Sequence, residues 1–172
     1  MTDDVRRLVA AIENGARDDI WEAAKELESL ATETALFLIS LLNSGKRADT
    51  RAGAAYVLGH SRCACARTSL EEILGSAGEE ASVRGHAAEA LAYIGDKRSV
   101  NVLLKHLADE DPEGKYWCIF ALGQIGDPKA IPALTHVAES VSDECYEKYS
   151  LRTEALDAMS AIKRCVEDVE SP

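Results

Sequence analysis

Aromatic residues, prolines and long apolar runs are scarce in this sequence, and each scarcity excludes a class of protein. Phe, Trp and Tyr make up 5% of the 172 residues and only 4 residues are Pro, whereas 47% are hydrophobic. No apolar run approaches the roughly 18 residues that a membrane-spanning helix needs. The start, Met-Thr-Asp-Asp, lacks the basic and apolar regions of a signal peptide. We therefore expect a cytoplasmic protein without a membrane segment.

The five cysteines, at positions 63, 65, 118, 145 and 165, are odd in number and irregularly spaced. This pattern is typical of free thiols in a reduced cytosolic protein. His60, Cys63 and Cys65 bring three potential zinc ligands close together, but no second cysteine pair has zinc-site spacing. We therefore predict no metal and no cofactor.

Positive charge is also scarce, because 19 Lys and Arg face 30 Asp and Glu and leave a net charge of −11. Residues 101–172 carry 7 basic and 14 acidic groups, which is −7 of that total. Such a field repels phosphate backbones, so a nucleic-acid partner is disfavoured. A basic protein or peptide is compatible with it, although solubility alone also explains an acidic surface.

What the sequence does contain is an internal repeat. Three segments align when Arg51, Arg84 and Lys115 are superimposed, and these residues are 33 and 31 positions apart. A period in this range predicts a solenoid, in which each unit buries its apolar face only by stacking on its neighbours. The aligned segments are 51–59, 83–96 and 115–127.

Ala and Leu supply much of the hydrophobic content, which favours helices over strands. We expect Gly15 and Gly45 to end helices. Ser82, Asp96 and Asp127 occupy positions where a helix N-cap or a tight turn would use them. The predicted helices cover residues 3–14, 18–30, 34–43, 49–59, 65–74, 82–94, 99–108, 113–125, 128–141 and about 147–166.

The segment 83–96, Val-Arg-Gly-His-Ala-Ala-Glu-Ala-Leu-Ala-Tyr-Ile-Gly-Asp, resembles the HEAT repeat, and its nearest form is the short bacterial subtype also found in phycobilisome lyases. The resemblance implies an all-α, right-handed α-α superhelix of about five helix pairs. We predict a single HEAT-like domain over residues 1–172. Its clear repeats cover about 49–76, 82–109 and 113–141, and capping helices cover 3–44 and 147–166.

The repeated positions have physical roles in such a fold. The pairs Ala54–Ala55 and Ala87–Ala88 let stacked helices approach closely, and we expect Leu58, Leu91 and Leu122 to fill the layer between them. The resemblance also implies that the recurring cations form a ladder to loop carboxylates. The cations are Arg51, Arg84, Lys115 and Arg152, and the implied carboxylates are Asp96, Asp127 and Asp111.

The resemblance further implies that the second helix of each repeat lines a concave groove. Seven of the nine aromatic residues fall on that face; one of the seven is Trp21, which the first repeat contributes together with Glu22 and Lys25. Only Phe37 and Tyr146 among the aromatics are expected elsewhere. The alternative is that some rings pack on neighbouring helices as core. The predicted groove residues are Tyr56, His60, His86, Glu89, Tyr93, Tyr116, Trp117, Phe120, Gln124, Tyr149, Glu154 and Asp157.

Exposed aromatic rings flanked by carboxylates suit a ligand with an apolar part and a positive group. We therefore expect a non-catalytic protein-binding, adaptor or regulatory module. One form of it is an inhibitor or immunity-type protein that masks a basic partner. The alternative is a lyase or isomerase subunit that acts on a tetrapyrrole chromophore in the same groove.

Other chemistry carried by HEAT-like proteins does not match this sequence. Hydroxylases of this type hold iron with His-Glu dipeptides, but Ala87 follows His86 and none of the four histidines precedes a glutamate. HEAT-like DNA glycosylases need a basic groove, which this acidic chain lacks. Cys118 falls next to the core alanines, so it is expected to be a buried thiol rather than a nucleophile. We predict no catalytic residues.

Overall fold

The computed structural model describes residues 3–27, 30–108, 112–140 and 145–170, and this part of the chain contains ten α-helices and one β-hairpin. Three 3-10 turns precede helices, at Ala64–Ala66, Lys97–Ser99 and Pro128–Ala130. The hairpin strands are β1 (Cys145–Tyr146) and β2 (Tyr149–Ser150). The helices are α1 (Asp3–Asn14), α2 (Arg17–Leu27), α3 (Ala31–Ser44), α4 (Ala48–His60), α5 (Arg67–Leu74), α6 (Ala81–Ile94), α7 (Val100–His106), α8 (Pro112–Ile125), α9 (Ile131–Ser140) and α10 (Leu151–Glu170).

The helices pack as five consecutive pairs, α1 with α2 through to α9 with α10. The second helices of the pairs, α2, α4, α6, α8 and α10, also pack against one another in series and form one layer. The first helices form the other layer. The molecule is therefore an all-α solenoid of five helix pairs, as the repeat predicts. Among the described residues, no helix combines the length and hydropathy needed to cross a membrane.

The core lies between the two layers and has the composition that the repeat predicts. Leu58, Leu91 and Leu122 are fully buried, and so are the paired alanines of α4 and α6. Close approach between second helices depends on small residues. A Cβ added to Gly59 on α4 would lie 2.5 Å from the Cα of Ala90 on α6, so this helix crossing has no room for a side chain.

Two turns repeat the same local chemistry. Gly95 and Gly126 end α6 and α8 in the left-handed conformation at φ 71°, which favours glycine. The next residue, Asp96 or Asp127, accepts a hydrogen bond from the backbone N–H two residues later and starts a 3-10 turn. These two caps confirm the prediction. The prediction for Ser82 is wrong, because α6 begins at Ala81 with Glu80 at its N-cap.

Several predicted helix ends differ from the structure. The segments that begin at 65, 99 and 128 start with 3-10 turns, and their α-helices begin later, at Arg67, Val100 and Ile131. The last helix does not begin at 147. A hairpin occupies residues 145–150, and α10 runs from Leu151 to Glu170, past the predicted end at 166.

The recurring arginines form ties between elements, and the partners that the structure describes for them are not Asp96 or Asp127. Arg51 donates two hydrogen bonds to the Glu79 carboxylate, at 2.8 and 2.6 Å, and a third to the Gly45 carbonyl at 2.6 Å. Arg84 donates to the backbone carbonyl of Glu79, and Arg152 donates to that of Ala138 at 2.7 Å. The described partners of these three arginines are therefore the Glu79 carboxylate and backbone carbonyls that precede α4, α6 and α10.

The aspartate expected in that ladder has other partners. Asp96 accepts from the side chain of Arg98 and lies 3.6 Å from the Arg67 guanidinium. Hydrogen bonds from Arg98 hold the pKa of Asp96 at about 2. Asp127 caps its own 3-10 turn. The remaining predicted partner, Asp111, lies outside the described residues.

The cysteines also differ from expectation. Cys63 and Cys65, in the loop between α4 and α5, form a disulfide, so the prediction of five free thiols is wrong. Cys118 is buried in the core, as predicted, and Cys145 and Cys165 are exposed.

Candidate functional site

Aromatic side chains of the second-helix layer form a continuous series of ring contacts. Trp21 on α2 meets Tyr56 on α4 edge to face, with ring centroids 5.5 Å apart. Tyr56 stacks on His60 at 4.0 Å, one turn along the same helix. His60 in turn contacts Tyr93 on α6 at 4.4 Å. The first three helices of the layer are therefore connected through rings.

The series continues on α8. Tyr93 meets Phe120 at 6.4 Å, Phe120 meets Trp117 at 5.8 Å, and Trp117 meets Tyr116 at 5.1 Å. These three contacts are edge to face, which is an arrangement that aromatic quadrupoles favour. We call the whole set the aromatic face; it comprises Trp21, Tyr56, His60, His86, Tyr93, Tyr116, Trp117, Phe120, Tyr146 and Tyr149.

The hairpin closes the far end of the aromatic face. Tyr146 and Tyr149 are cross-strand partners, and each ring lies 5.3 Å from the ring of Tyr116. The Tyr146 hydroxyl donates a hydrogen bond to Glu113 on α8 at 3.1 Å. The expectation that Tyr146 lies elsewhere is therefore wrong. Phe37 lies on α3, in the other layer, as expected.

One ring contact joins helices that are two places apart in the layer. The rings of Trp21 on α2 and His86 on α6 lie 5.0 Å apart, across α4. Neighbouring helix axes are separated by about 8–10 Å, so the two side chains extend toward each other over α4. This contact links the rings of α2 and α6 directly as well as through Tyr56 and His60.

Trp117 is packed more tightly than a purely surface ring. A Cβ added to Gly85 on α6 would lie 2.7 Å from Cδ1 of Trp117 and 3.5 Å from the Glu113 carboxylate. The indole is half-buried, and one edge rests on the backbone of α6. Trp117 thus joins two repeats and also contributes to the aromatic face.

A carboxylate and two histidines lie at the middle of the face. Glu89 is one turn before Tyr93, its side chain is 16% exposed, and Oε1 is 4.0 Å from Nε2 of His60. That ring nitrogen is buried without a hydrogen-bond partner. Burial raises the pKa of Glu89, and the nearby His86 and His60 oppose the rise. His86 Nδ1 lies 2.7 Å from the Ser82 carbonyl.

Negative charge concentrates near the hairpin. Burial raises the pKa of Tyr116 to about 12, and the carboxylates of Glu154 and Glu147 add to the effect. Burial also raises the pKa of Glu154, with a contribution from Asp157 on the next turn of α10. Carboxylates that raise the pKa values of their neighbours stabilise a cation placed among them.

Most of the predicted groove residues belong to the aromatic face or lie beside it. Nine aromatic or histidine rings take part in the ring contacts, Glu89 lies beside His60, and Glu154 acts on Tyr116. Gln124 and Asp157 are exposed, and so are Glu22 and Lys25 on α2. The sequence analysis did not include Tyr146, Glu113 or Glu147 in the site. The available signal was the pair Tyr146 and Tyr149, which flank the dipeptide Glu147–Lys148.

No cluster suited to a metal ion is found among the residues that the structure describes. His60 points into the aromatic face, where it contacts Tyr56 and Tyr93. Cys63 and Cys65 are bonded to each other in the loop. His60 therefore lies among aromatic rings, whereas Cys63 and Cys65 are bonded to each other, so the three side chains do not form one group of metal ligands.

Comparison with known proteins agrees with this architecture. The fold is similar to the crystal structure of an engineered protein from the Northeast Structural Genomics Consortium, with a TM-score of 0.63 and 22% identity over 94% of this chain and 80% of that one. At that identity the likeness shows the fold alone. No curated protein matches the chain in sequence. A model of HEAT repeats matches residues 68–160, more than half of the chain, which therefore belongs to the HEAT repeat family.

Proposed function

We propose that this protein is a non-catalytic adaptor or regulatory module that binds a positively charged protein segment on its aromatic face. HEAT repeats generally suggest a role in protein interaction or scaffolding. The observation that carries the finer proposal is the unbroken series of ring contacts from Trp21 on α2 to Tyr149 in the hairpin. Half-buried aromatic rings with carboxylates between them supply contact area and charge selection together.

The carboxylates determine the sign of the partner. Glu89 lies in the middle of the face, and Glu147, Glu154 and Asp157 lie near its hairpin end. Burial makes ionisation of Glu89 and Glu154 unfavourable in the free protein, so a cation beside them would be stabilised. A Lys or Arg side chain would also gain cation–π contact with the rings. A partner that is a basic toxin or enzyme, masked by this acidic chain, is one form of the proposal.

The face does not resemble a nucleophilic active site. The thiol nearest the face in sequence, Cys118, is fully buried in the core beside Trp117. Nucleophilic catalysis needs a base within hydrogen-bond reach of an accessible thiol or hydroxyl. Binding is therefore favoured over covalent chemistry.

Fluorescence anisotropy with a labelled peptide that alternates Arg and Leu tests the proposal, with a Glu and Leu peptide as the matched control. We expect saturable binding of the basic peptide only, weakened by salt. Phe120→Ala removes a ring from the middle of the face, and we expect it to lower affinity by about fivefold or more. Leu36→Ala is the matched apolar control, because Leu36 is 84% exposed on α3 in the other layer. Equal affinity for both peptides, or equal losses in both variants, would contradict the proposal.

The charge arm of the test uses Glu89→Gln, which keeps the shape of the side chain. We expect this variant to bind the basic peptide more slowly and with a shallower salt dependence. Glu72→Gln on α5 is the matched control, because Glu72 is exposed in the other layer. Loss of binding in both variants would show that net charge alone attracts the peptide.

A second candidate uses the same rings as a platform for a tetrapyrrole, in keeping with the likeness to the subtype found in phycobilisome lyases. The observation in its favour is the continuity of the aromatic face, since flat conjugated molecules stack on such rings. Titration with a free bilin distinguishes the two candidates. A shifted absorbance band that Tyr93→Ala abolishes would favour the chromophore, whereas an unchanged spectrum beside peptide binding would favour the protein partner.

A further inference from the structure

Three tyrosines form a compact cluster where the hairpin meets α8. The rings of Tyr146 and Tyr149 each lie 5.3 Å from that of Tyr116, tilted by 39° and 31°. Tyr146 is held by its hydrogen bond to Glu113, and Tyr149 remains 41% exposed. Tyr146 is therefore held in place against α8, and Tyr149 offers an open face.

The turn of the hairpin places a carboxylate beside this cluster. Tyr146 pairs directly with Tyr149, so Glu147 and Lys148 form a two-residue turn. Glu147 adopts φ 52°, in the left-handed region that glycine occupies most easily. A glutamate is less favourable than glycine in this backbone conformation, but it places a negative charge at the tip of the hairpin.

Further charge surrounds the same rings. The Tyr146 hydroxyl donates to the Glu113 carboxylate, and Glu147 also raises the pKa of Tyr146, which burial brings to about 12. Glu154, in the first turn of α10, acts with Glu147 on Tyr116. Three carboxylates thus face a cluster of three rings.

The protein already holds one cation against the open ring. The Lys148 ammonium nitrogen lies 5.4 Å from the centroid of the Tyr149 ring, within the range of a cation–π contact. This contact is an observation independent of the carboxylates, and it indicates what kind of group the open face accepts.

We propose that the cluster of Tyr116, Tyr146 and Tyr149 is the subsite for a single basic side chain of the partner, an arginine guanidinium or a lysine ammonium. The group binds on the open face of Tyr149, pairs with Glu147 and Glu154, and displaces Lys148. This subsite rests on the proposed function, because it names the residue that anchors the basic segment on the aromatic face.

The test uses the full chain and two small probes, followed by NMR of the tyrosine rings. N-acetyl-arginine methylamide carries the guanidinium, and N-acetyl-citrulline methylamide has the same shape without the charge. We expect saturable shifts of the Tyr149 ring signals with the arginine probe and none with citrulline. Tyr149→Ala lowers affinity about two- to fivefold, as expected for an exposed cation–π contact, whereas Tyr149→Phe retains it.

Two charge variants complete the test. Lys148→Met removes the competing cation and keeps the stem, so we expect tighter binding of the arginine probe. Glu154→Gln weakens binding, whereas the matched control Glu72→Gln leaves it unchanged. Equal shifts with both probes, equal affinity of Tyr149→Ala and the parent, or weaker binding by Lys148→Met would overturn the subsite.

The arginine and leucine peptide separates failure of the subsite from failure of the proposed function. If that peptide shifts the rings of Tyr93 and Phe120 while Tyr149 stays unaffected, the subsite is wrong and the function stands. If it shifts none of these rings, both are wrong.

Discussion

At the scale of single residues, Glu89 is where binding and stability compete. Its side chain is 16% exposed beside His60 and Tyr93, and burial raises its pKa despite two nearby histidines. A charge kept in such a place costs folding free energy at neutral pH. Retaining it is explained if the partner is cationic.

This conflict predicts the pH dependence of a Glu89→Gln variant. A carboxyl whose pKa is raised in the folded state contributes stability that is complete below its ordinary value of 4.5 and is lost as pH rises through the raised value. We therefore expect the variant to gain stability relative to the parent as pH rises from 4 to 7, by no more than about 1 kcal/mol. Urea unfolding at both pH values measures the difference. A variant that is equally destabilised at pH 4 and 7 would contradict the argument.

At the scale of elements, the tie from Arg51 on α4 to Glu79 in the α5–α6 loop joins two repeats. The two side chains are 16% and 9% exposed and share two hydrogen bonds. Arg51→Met leaves the Glu79 carboxylate shielded without its main donor. We expect a loss of about 1.5–3 kcal/mol in the free energy of unfolding.

Arg6→Met is the matched control for this tie. Arg6 pairs with Asp3 at 2.9 Å, but the two side chains are 64% and 96% exposed. We expect a change within about 0.5 kcal/mol, because exposed ion pairs contribute little. Similar losses in both variants would show that the loss comes from removing a positive charge in general rather than from the bonds to Glu79.

The seam between α6 and α8 gives another element-scale prediction. Gly85→Ala would bring a methyl group to 2.7 Å from the Trp117 ring, so we expect it to cost about 1–3 kcal/mol. In a Trp117→Ala background the same change should cost much less, because the clashing ring is gone. A double-mutant cycle by thermal unfolding measures this coupling. Additive losses would mean that the cost of Gly85→Ala does not arise from the contact with Trp117.

Trp117 also shows what the sequence could and could not predict. The period placed it on the correct side of α8, because three- and four-residue spacing defines a helix face. Its contact with Gly85, a residue 32 positions earlier in the sequence, depends on how closely α6 and α8 approach each other. The Tyr146–Glu113 bond that holds the hairpin has the same origin, so residues 147–150 of the hairpin were predicted as the start of the last helix. Turns such as Gly95–Asp96 were predictable because their chemistry is local.

At the scale of the whole molecule, the stability of each helix pair depends on its packing against the adjacent pairs. Leu91 is fully buried on α6, in the central repeat. We expect Leu91→Ala to cost about 2–5 kcal/mol. Because each repeat is supported by its neighbours, the loss should also lower hydrogen-exchange protection in α4 and α8.

Leu156→Ala provides the comparison for this prediction, because Leu156 is 49% exposed on α10. We expect it to change stability by less than about 1 kcal/mol and to leave exchange in α4 and α8 as in the parent. Loss of protection confined to α6 in the Leu91→Ala variant would show that the repeats unfold independently.

The aromatic face has two unlike ends, which bears on the length of segment that the proposed function would recognise. At one end the rings of Trp21 and His86 contact each other across α4, whereas at the hairpin Tyr149 keeps an open face. Four helix intervals from α2 to α10 measure about 32–40 Å. An extended chain covers that distance with roughly ten to twelve residues. If the proposed function is correct, the stacking of five helix pairs therefore sets the length of the bound segment.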